Sequence, residues 1–363
     1  LSKSLGEKRQ ERANAAAMNG LFLAVVSCLV FVFLGLTCSR GFFLMQTDQQ
    51  TIVDYGATYM SIVSVLSGGM FLQITFDRVL QATGRTVYTL FTQAVGAVIN
   101  IILDPILIFG LNMGVKGAAL ATITAQAVSA VWVVRFLLGK RTLFRLELKR
   151  MRPQAKLIGK ITSLGISGFI MGFTSSAVQV ACNAMLSQHG GDLFVAVMTV
   201  INSIREVTYT PVNGVTSAAA PVVSFNYGAA NLERIKRAIQ SIVALCVTFC
   251  VLMTVVTHAL SPVFVGLFTQ NPEVAARSVR YIKVFTAMII PLAIQYPLVD
   301  ETTALGHVRL ALFCSIFRKC VFLAGLLLLP ALVSPEATFL SEPIADAAAA
   351  TVTTVSYTHL TLP

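Results

Sequence analysis

Three residues in one apolar stretch of the chain could hold a cation or a proton. Asn100 and Asp104 are four residues apart, which places an amide and a carboxylate on the same face of a helix. Pro105 lacks a backbone N–H, so the carbonyl of Ile101 one turn earlier loses its helical partner. Carboxylate, amide and carbonyl oxygens are the ligands that hard cations prefer. The spacing therefore predicts a site for Na⁺ or a transferable proton around Asp104.

Composition indicates that these residues lie in a membrane. Of the 363 residues, 56% are hydrophobic and 12% charged, and the mean hydropathy is +0.78. Apolar runs repeatedly approach the roughly 20 residues that cross a bilayer. We predict an all-α, polytopic transmembrane bundle with nine spans and a doubtful tenth. The predicted spans are 17–39, 55–77, 87–109, 117–137, 161–188, 193–223, 237–257, 278–299, 310–333 and 343–355.

In such a span Asp104 has two interpretations. An ionisable residue inside the hydrocarbon is costly and is a functional-site hypothesis by default. The alternative is a hydrated Asn-Asp-Pro helix terminus at the outer interface. We favour the functional site.

The net charge of +11 indicates topology and not nucleic-acid binding. Lysines and arginines concentrate in alternate loops, which the positive-inside rule assigns to the cytoplasm. Residue 1 and the basic segment 139–160 are then cytoplasmic, and we expect a multi-pass protein of the inner (plasma) membrane. The seven cysteines show no metal-ligand spacing, so no cofactor or resident metal is expected.

The chain contains an internal repeat, which aligns without a gap when Ser2 is placed on Ser224. In that alignment Gln73 falls on Gln295 and Gly84 on Gly306. A duplicated membrane protein usually works at the interface between its copies. We expect an incomplete N-lobe with four of six helices, a cytoplasmic linker, a C-lobe with an incomplete last helix, and a non-native tail, over residues 1–138, 139–160, 161–355 and 356–363. The linker fits an amphipathic surface helix and a solvated connection equally well.

Four segments on or beside these spans carry a family resemblance. They are 78–84 (RVLQATG), 100–110 (NIILDPILIFG), 114–122 (GVKGAALAT) and 221–231 (PVVSFNYGAAN). Each is loose alone, but in this order and spacing the chain resembles the multidrug and toxic compound extrusion (MATE) family. The resemblance implies six-plus-six helices around a central cleft. It also implies a monomer that exports amphipathic organic cations by alternating access, in exchange for Na⁺ or H⁺.

The resemblance also implies further residues of the cation site. The family's tyrosine and threonine ligands correspond to Tyr59 and Thr122, whereas a further acid belongs to a first span that this chain lacks. Taken alone, Tyr59 is more typical of an interfacial anchor in the membrane lipid.

The second copy offers no equivalent of the Asn100–Asp104 pair. The corresponding positions of the repeat are Phe322 and Leu326, so we predict that the ion site lies in the N-lobe. Glu206 could form a structural ion pair with the adjacent Arg205 within its span, and we expect Asp300 and Glu301, at a cytoplasmic span end, to be solvated. Three uncharged polar residues could line the substrate cleft or bridge helices, namely Gln179, Asn183 and Asn202.

Two other functions fit the sequence less well. A lipid-linked oligosaccharide flippase of the same superfamily would need several cleft cations for pyrophosphate, and the intramembrane cations here are few. A membrane-embedded transferase would need clustered acids or a histidine-centred site, which the sequence does not show. We therefore predict that the chain is not an enzyme.

Overall fold

The computed structural model describes residues 1–45, 49–137 and 153–359. These residues form helices and no strand, which confirms the all-α prediction. The chain divides into two units, Leu1–Ile161 and Thr162–Pro363, each of which is described by itself.

The helices of the first unit are α1 (Ser2–Gly6), α2 (Gln10–Thr37), α3 (Ser39–Leu44), α4 (Gln50–Val65), α5 (Gly68–Ala82), α6 (Thr86–Pro105), a π-helix (Ile106–Gly110) and α7 (Val115–Leu137). The long α8 (Ala155–Gly228) leads into the second unit. There follow α9 (Leu232–Ala259), α10 (Ser261–Phe268), α11 (Pro272–Phe285), α12 (Ile289–Ala304), α13 (Val308–Leu332), a 3₁₀-helix (Pro335–Leu340) and α14 (Ser341–Thr358).

The helix boundaries repeat with the offset that the sequence shows. In the repeat alignment both ends of α2 coincide with the ends of α9, and the first residues of α3, α4 and α6 coincide with those of α10, α11 and α13. Gly84 and Gly306 both have positive φ, of 78° and 94°, in the turns before α6 and α13. The pairs α4–α5 and α11–α12 are each bent at a short break, by 53° and 58°. The duplication therefore extends to this break.

The hydropathy of the helices supports a multi-pass membrane protein. Among the described residues six helices are long and apolar enough to cross a membrane, or eight if each bent pair is one span. Large apolar side chains on α2 are exposed, including Leu29, Phe33 and Leu36, as expected for a surface that faces lipid.

The predicted spans 161–188 and 193–223 are separated by a break at Gly191, whose φ of 63° and ψ of −162° are not helical. Two details differ from the predicted organisation. Helix α14 continues to Thr358, although the apolar pattern ends at Ser356. Most of the predicted 139–160 linker, including its apolar stripe, lies outside the described residues, and α8 already begins at Ala155.

Glycines bring α5, α6 and α7 of the first unit close together. A Cβ atom on Gly69 would lie 3.0 Å from the Ala127 Cα, and one on Gly117 would lie 2.7 Å from the Leu107 carbonyl carbon and oxygen. The second contact seats the start of α7 against the π-helix, an irregular turn often found at functional sites. These approaches fix the positions of the polar residues that the three helices carry.

We predict that Gly117→Ala destabilises the protein, because the added methyl group meets backbone atoms that cannot rotate away. The expected cost is about 1–3 kcal/mol, measured as a lower melting temperature of the purified protein in detergent. Gly20→Ala is the matched control, since nothing lies within 4 Å of its added Cβ. Equal melting temperatures for Gly117→Ala and Gly20→Ala would contradict the close approach.

Candidate functional site

Helices α5, α6 and α7 line an open cavity of about 310 Å³ in the first unit, whose surface is more apolar than polar but carries several polar side chains. Its polar lining is rich in amide and hydroxyl groups, namely Gln73, Gln93, Asn100, Thr122, Gln126 and Ser129. Two of these groups are held by backbone bonds: the Thr122 hydroxyl donates to the Ala118 carbonyl (3.0 Å), and the Ser129 hydroxyl to the Thr92 carbonyl (3.1 Å). The oxygens of the remaining amides can coordinate a small cation or accept hydrogen bonds from proton donors.

The structure brings together two of the four residues predicted for the cation site. Asn100 and Thr122 line this cavity from facing helices. The Asn100 Nδ2 is buried without a partner, as is the Gln126 Oε1, among the described residues. An unpaired buried polar group costs about 1–3 kcal/mol. A ligand in the cavity that supplied the missing hydrogen-bond partners would remove this cost. Ion binding by Asn100 and Thr122 stays a prediction.

Asp104 lies one turn beyond Asn100 on α6 but does not line the cavity. Its residue is half-buried, and its Oδ1 is enclosed without a hydrogen-bond partner among the described residues. Pro105 follows within the helix, and the chain then widens into the π-helix. A carboxylate oxygen without a partner beside an irregular turn is open to a proton or cation.

Tyr59 lies apart from this cavity. It is on α4, with 37% of its surface exposed, and is not among the lining residues. The structure does not bring it together with Asn100 and Thr122.

Asp77 is a polar residue of this region that the sequence reasoning missed. It lies on α5, is only 3% exposed, and accepts a hydrogen bond at Oδ2 from the Gln93 Nε2 (2.8 Å). Its Oδ1 is buried without a partner among the described residues. In the sequence Asp77 ends a predicted span just before Arg78, a position typical of an interfacial acid. Its four-residue spacing from Gln73 was the available signal.

The second unit has a cavity of about 290 Å³ between α8 and α11–α14. Gln179 and Asn202 line it, as does Glu206. Asn183 is not a lining residue, but its Oδ1 accepts from the Gln179 Nε2 at 3.1 Å. The polar residues predicted to line a substrate cleft are thus placed in or beside one cavity, and their contact with substrate stays a prediction.

Four largely buried charges form a cluster beside that cavity, and three of them line it, namely Arg205, Arg318 and Glu342. The Asp346 carboxylate accepts from the Arg318 Nε (2.8 Å) and the Arg205 Nη2 (3.2 Å), and both guanidinium groups also donate to the Glu342 Oε1. The side chains of Glu342 and Asp346 are 5% and 1% exposed, and those of the arginines 16%. Two cations thus balance two anions, the arrangement that makes buried charge tolerable.

The suggested pairing of Arg205 with the adjacent Glu206 is wrong. Arg205 pairs with Glu342 and Asp346, because neighbouring side chains on a helix point in different directions. The Glu206 carboxylate instead accepts from the Thr210 hydroxyl at 3.4 Å.

The expected solvation of Glu301 is also wrong. Glu301 is 0% exposed, and neither of its carboxylate oxygens has a partner among the described residues. Helices α9 and α14 pack against α12, which carries Glu301, and shield it from solvent. The preceding Asp300 is half-buried.

We predict that the four charges act as one stabilising unit. Arg318→Met should destabilise by about 3–5 kcal/mol, because it leaves an excess anion in an apolar interior. Glu342→Gln should destabilise for the converse reason, and the double variant should melt closer to wild type than either single variant, since Arg205 and Asp346 remain paired. The measurement is a double-mutant cycle of melting temperatures in detergent. Additive losses would contradict the network.

Comparison with known proteins places the chain in a family. The profile of the MatE family matches residues 1–106 and 167–328. The multidrug export protein MepA of Staphylococcus haemolyticus is 24% identical over 335 residues, which cover 92% of this chain and 73% of that protein. MepA of Staphylococcus aureus strain NCTC 8325 is 21% identical over 333 residues, with the same coverage.

Solved structures show the same fold. A multidrug resistance MATE family transporter in an outward-facing conformation superposes with a TM-score of 0.94 at 19% identity, over 98% of this chain and 80% of that one. A transporter of the MOP superfamily from Pyrococcus furiosus, described as having a binding pocket of reversed polarity, gives the same values. Together with the family match over most of the chain, these likenesses confirm the sequence resemblance: the chain belongs to the MATE family of multi-pass membrane transporters, whose members are not enzymes.

Proposed function

We propose that this chain is a cation-coupled antiporter that exports amphipathic organic cations or drugs. The observation that carries the proposal is the cavity of the first unit that Asn100 and Thr122 line. One turn beyond Asn100, the Asp104 Oδ1 is buried without a partner among the described residues. The relatives named multidrug export proteins support the substrate class. The coupling ion is Na⁺ or H⁺, and no other cofactor is required.

Coupling follows from differential binding. An ion that binds more tightly to one of two access states shifts the population towards that state, whereas an ion with equal affinity for both shifts nothing. We infer that the outward-facing state binds the ion near Asp104, that this binding weakens the hold on substrate, and that the protein then switches. The proposed setting is the plasma membrane, with residue 1 and the 139–160 segment cytoplasmic, lipid around a monomer, and small organic cations as partners.

The flippase alternative is less well supported by the charges. Pyrophosphate recognition needs cations that are free to bind it. Arg205 and Arg318 are already neutralised by Glu342 and Asp346. Lys319 is held by the Met171 carbonyl and the Ser175 hydroxyl, at 2.6 and 2.7 Å. One lysine is a weak basis for a pyrophosphate site.

We predict that Asp104→Asn abolishes ion-dependent export, because the amide can accept hydrogen bonds but can bind neither a proton nor the charge of Na⁺. In an efflux-deficient host, ethidium efflux and drug tolerance should fall about 10-fold or to the level of the empty host.

Asp54→Asn is the matched control. Asp54 is an exposed acid of the same unit that pairs with Arg40 at 3.4 Å on the surface, so its removal should leave efflux unchanged. Wild-type tolerance and ion-dependent efflux in Asp104→Asn would show that the site is misplaced. If no organic cation were exported by the wild type, with or without Na⁺, the exporter assignment itself would fail.

A further inference from the structure

Asp77 is a buried acid that forms no ion pair among the described residues. Its own residue is 3% exposed, and Phe76, Val79 and Leu80 beside it on α5 are buried as well. Its single polar partner among the described residues is the neutral amide of Gln93. A buried ionised carboxylate is costly without a cation, so this environment favours the neutral acid.

Among the described residues, no charged group of α5 or of the helices packed against it forms an ion pair with Asp77. Arg78 follows Asp77 on α5, but its side chain is exposed and its Nη1 donates to the Gln81 Oε1 at 3.0 Å. Helices α2, α6 and α7 pack against α5. Their charged residues are Glu11, Arg12, Asp104, Lys116 and Arg135. All are exposed except half-buried Asp104, and among the described residues none forms an ion pair with Asp77.

One hydrogen bond separates this acid from the cavity of the first unit. Gln93 donates to the Asp77 Oδ2 at 2.8 Å and also lines the cavity, as do Asn100 and Thr122. Gln73, one turn before Asp77 on α5, lines the same cavity. The second oxygen, Oδ1, is enclosed and unpartnered among the described residues. If Asp77 served only to accept the hydrogen bond from Gln93, an asparagine or glutamine would do so equally well. A carboxylate oxygen without a partner would then not be needed at this position.

We propose that Asp77 is a proton-binding site of the transport cycle, connected to the cavity through Gln93. This inference rests on the proposed antiport and names H⁺ as its coupling ion. The carboxylate takes a proton from hydronium on one side of the membrane, which leaves water and forms the neutral acid. When the cavity opens to the other side the O–H bond breaks and the proton passes to water there. Asp77 thereby supplies a second acid to the first unit besides Asp104.

Transport by the purified protein in liposomes tests this directly. An imposed pH gradient, with no Na⁺ present, should drive ethidium uptake by the wild type and by the control Asp54→Asn. In Asp77→Asn the pH-driven rate should fall about 10-fold or more, while the affinity for ethidium in detergent changes little. The amide still accepts the hydrogen bond from Gln93, so the fold is kept.

A second variant separates proton binding from packing. Asp77→Glu retains a carboxylate in a strained position, so it should regain part of the pH-driven rate with a displaced pH profile, whereas a structural role predicts that Asp77→Glu is no better than Asp77→Asn. A wild-type rate and pH profile in Asp77→Asn would overturn the proposal, as would transport by the wild type that responds to Na⁺ gradients alone. If Asp104→Asn lost pH-driven transport in the same assay, the proposed antiport would stand even if the result for Asp77→Asn overturned the role of Asp77.

Discussion

Placing an ionisable group inside an apolar helical bundle costs several kcal/mol unless other groups compensate its charge. The buried charged residues of this protein differ in whether such compensation is present. In the second unit Arg205 and Arg318 pair with Glu342 and Asp346, so these four charges cancel. Glu301 of the same unit is an exception, since it is buried and neither of its carboxylate oxygens has a partner among the described residues. In the first unit Asp77 is buried without a cation among the described residues, and one Asp104 oxygen lacks a partner. Compensated charge holds a structure together, whereas uncompensated charge can change its protonation or take up an ion.

Because the two copies share one scaffold, their charged and polar residues can be compared at matched positions. The helices of the two copies correspond at one constant offset, down to the break within each bent pair. At matched positions Gly96 of the first unit is replaced by Arg318, and Leu120 by Glu342. Asn100, which lines the first cavity, corresponds to Phe322 in the core of the second unit. The two cavities therefore occupy related places on the same framework and carry different chemistry. The polar groups of the first are neutral amides and hydroxyls, whereas Arg205, Arg318 and Glu342 of the ion-pair cluster line the second.

Sequence patterns predicted the helical class, most of the spans, the repeat and the family, because each depends on local periodicity or on residues in fixed order. Asn100 and Thr122 were also chosen from the sequence, and the structure brings them to one cavity. The ion-pair cluster was missed because Arg205 and Asp346 are 141 positions apart, and the sequence around each residue does not predict that the two pair. Glu301 and Asp77 resemble interfacial acids in the sequence because each lies near a predicted span end. Their burial is decided by the helices packed around them, which a one-dimensional pattern does not contain.

The central claim is that binding of the coupling ion weakens binding of the organic cation, and the reverse, with the ion held by acids of the first unit. The most direct test is the release of protons when ethidium is added to the purified protein in unbuffered detergent solution, followed with a pH indicator. The account predicts proton release on binding, and an ethidium affinity that rises with pH as the competing proton is lost. No proton release, with an ethidium affinity indifferent to both pH and Na⁺, would contradict it.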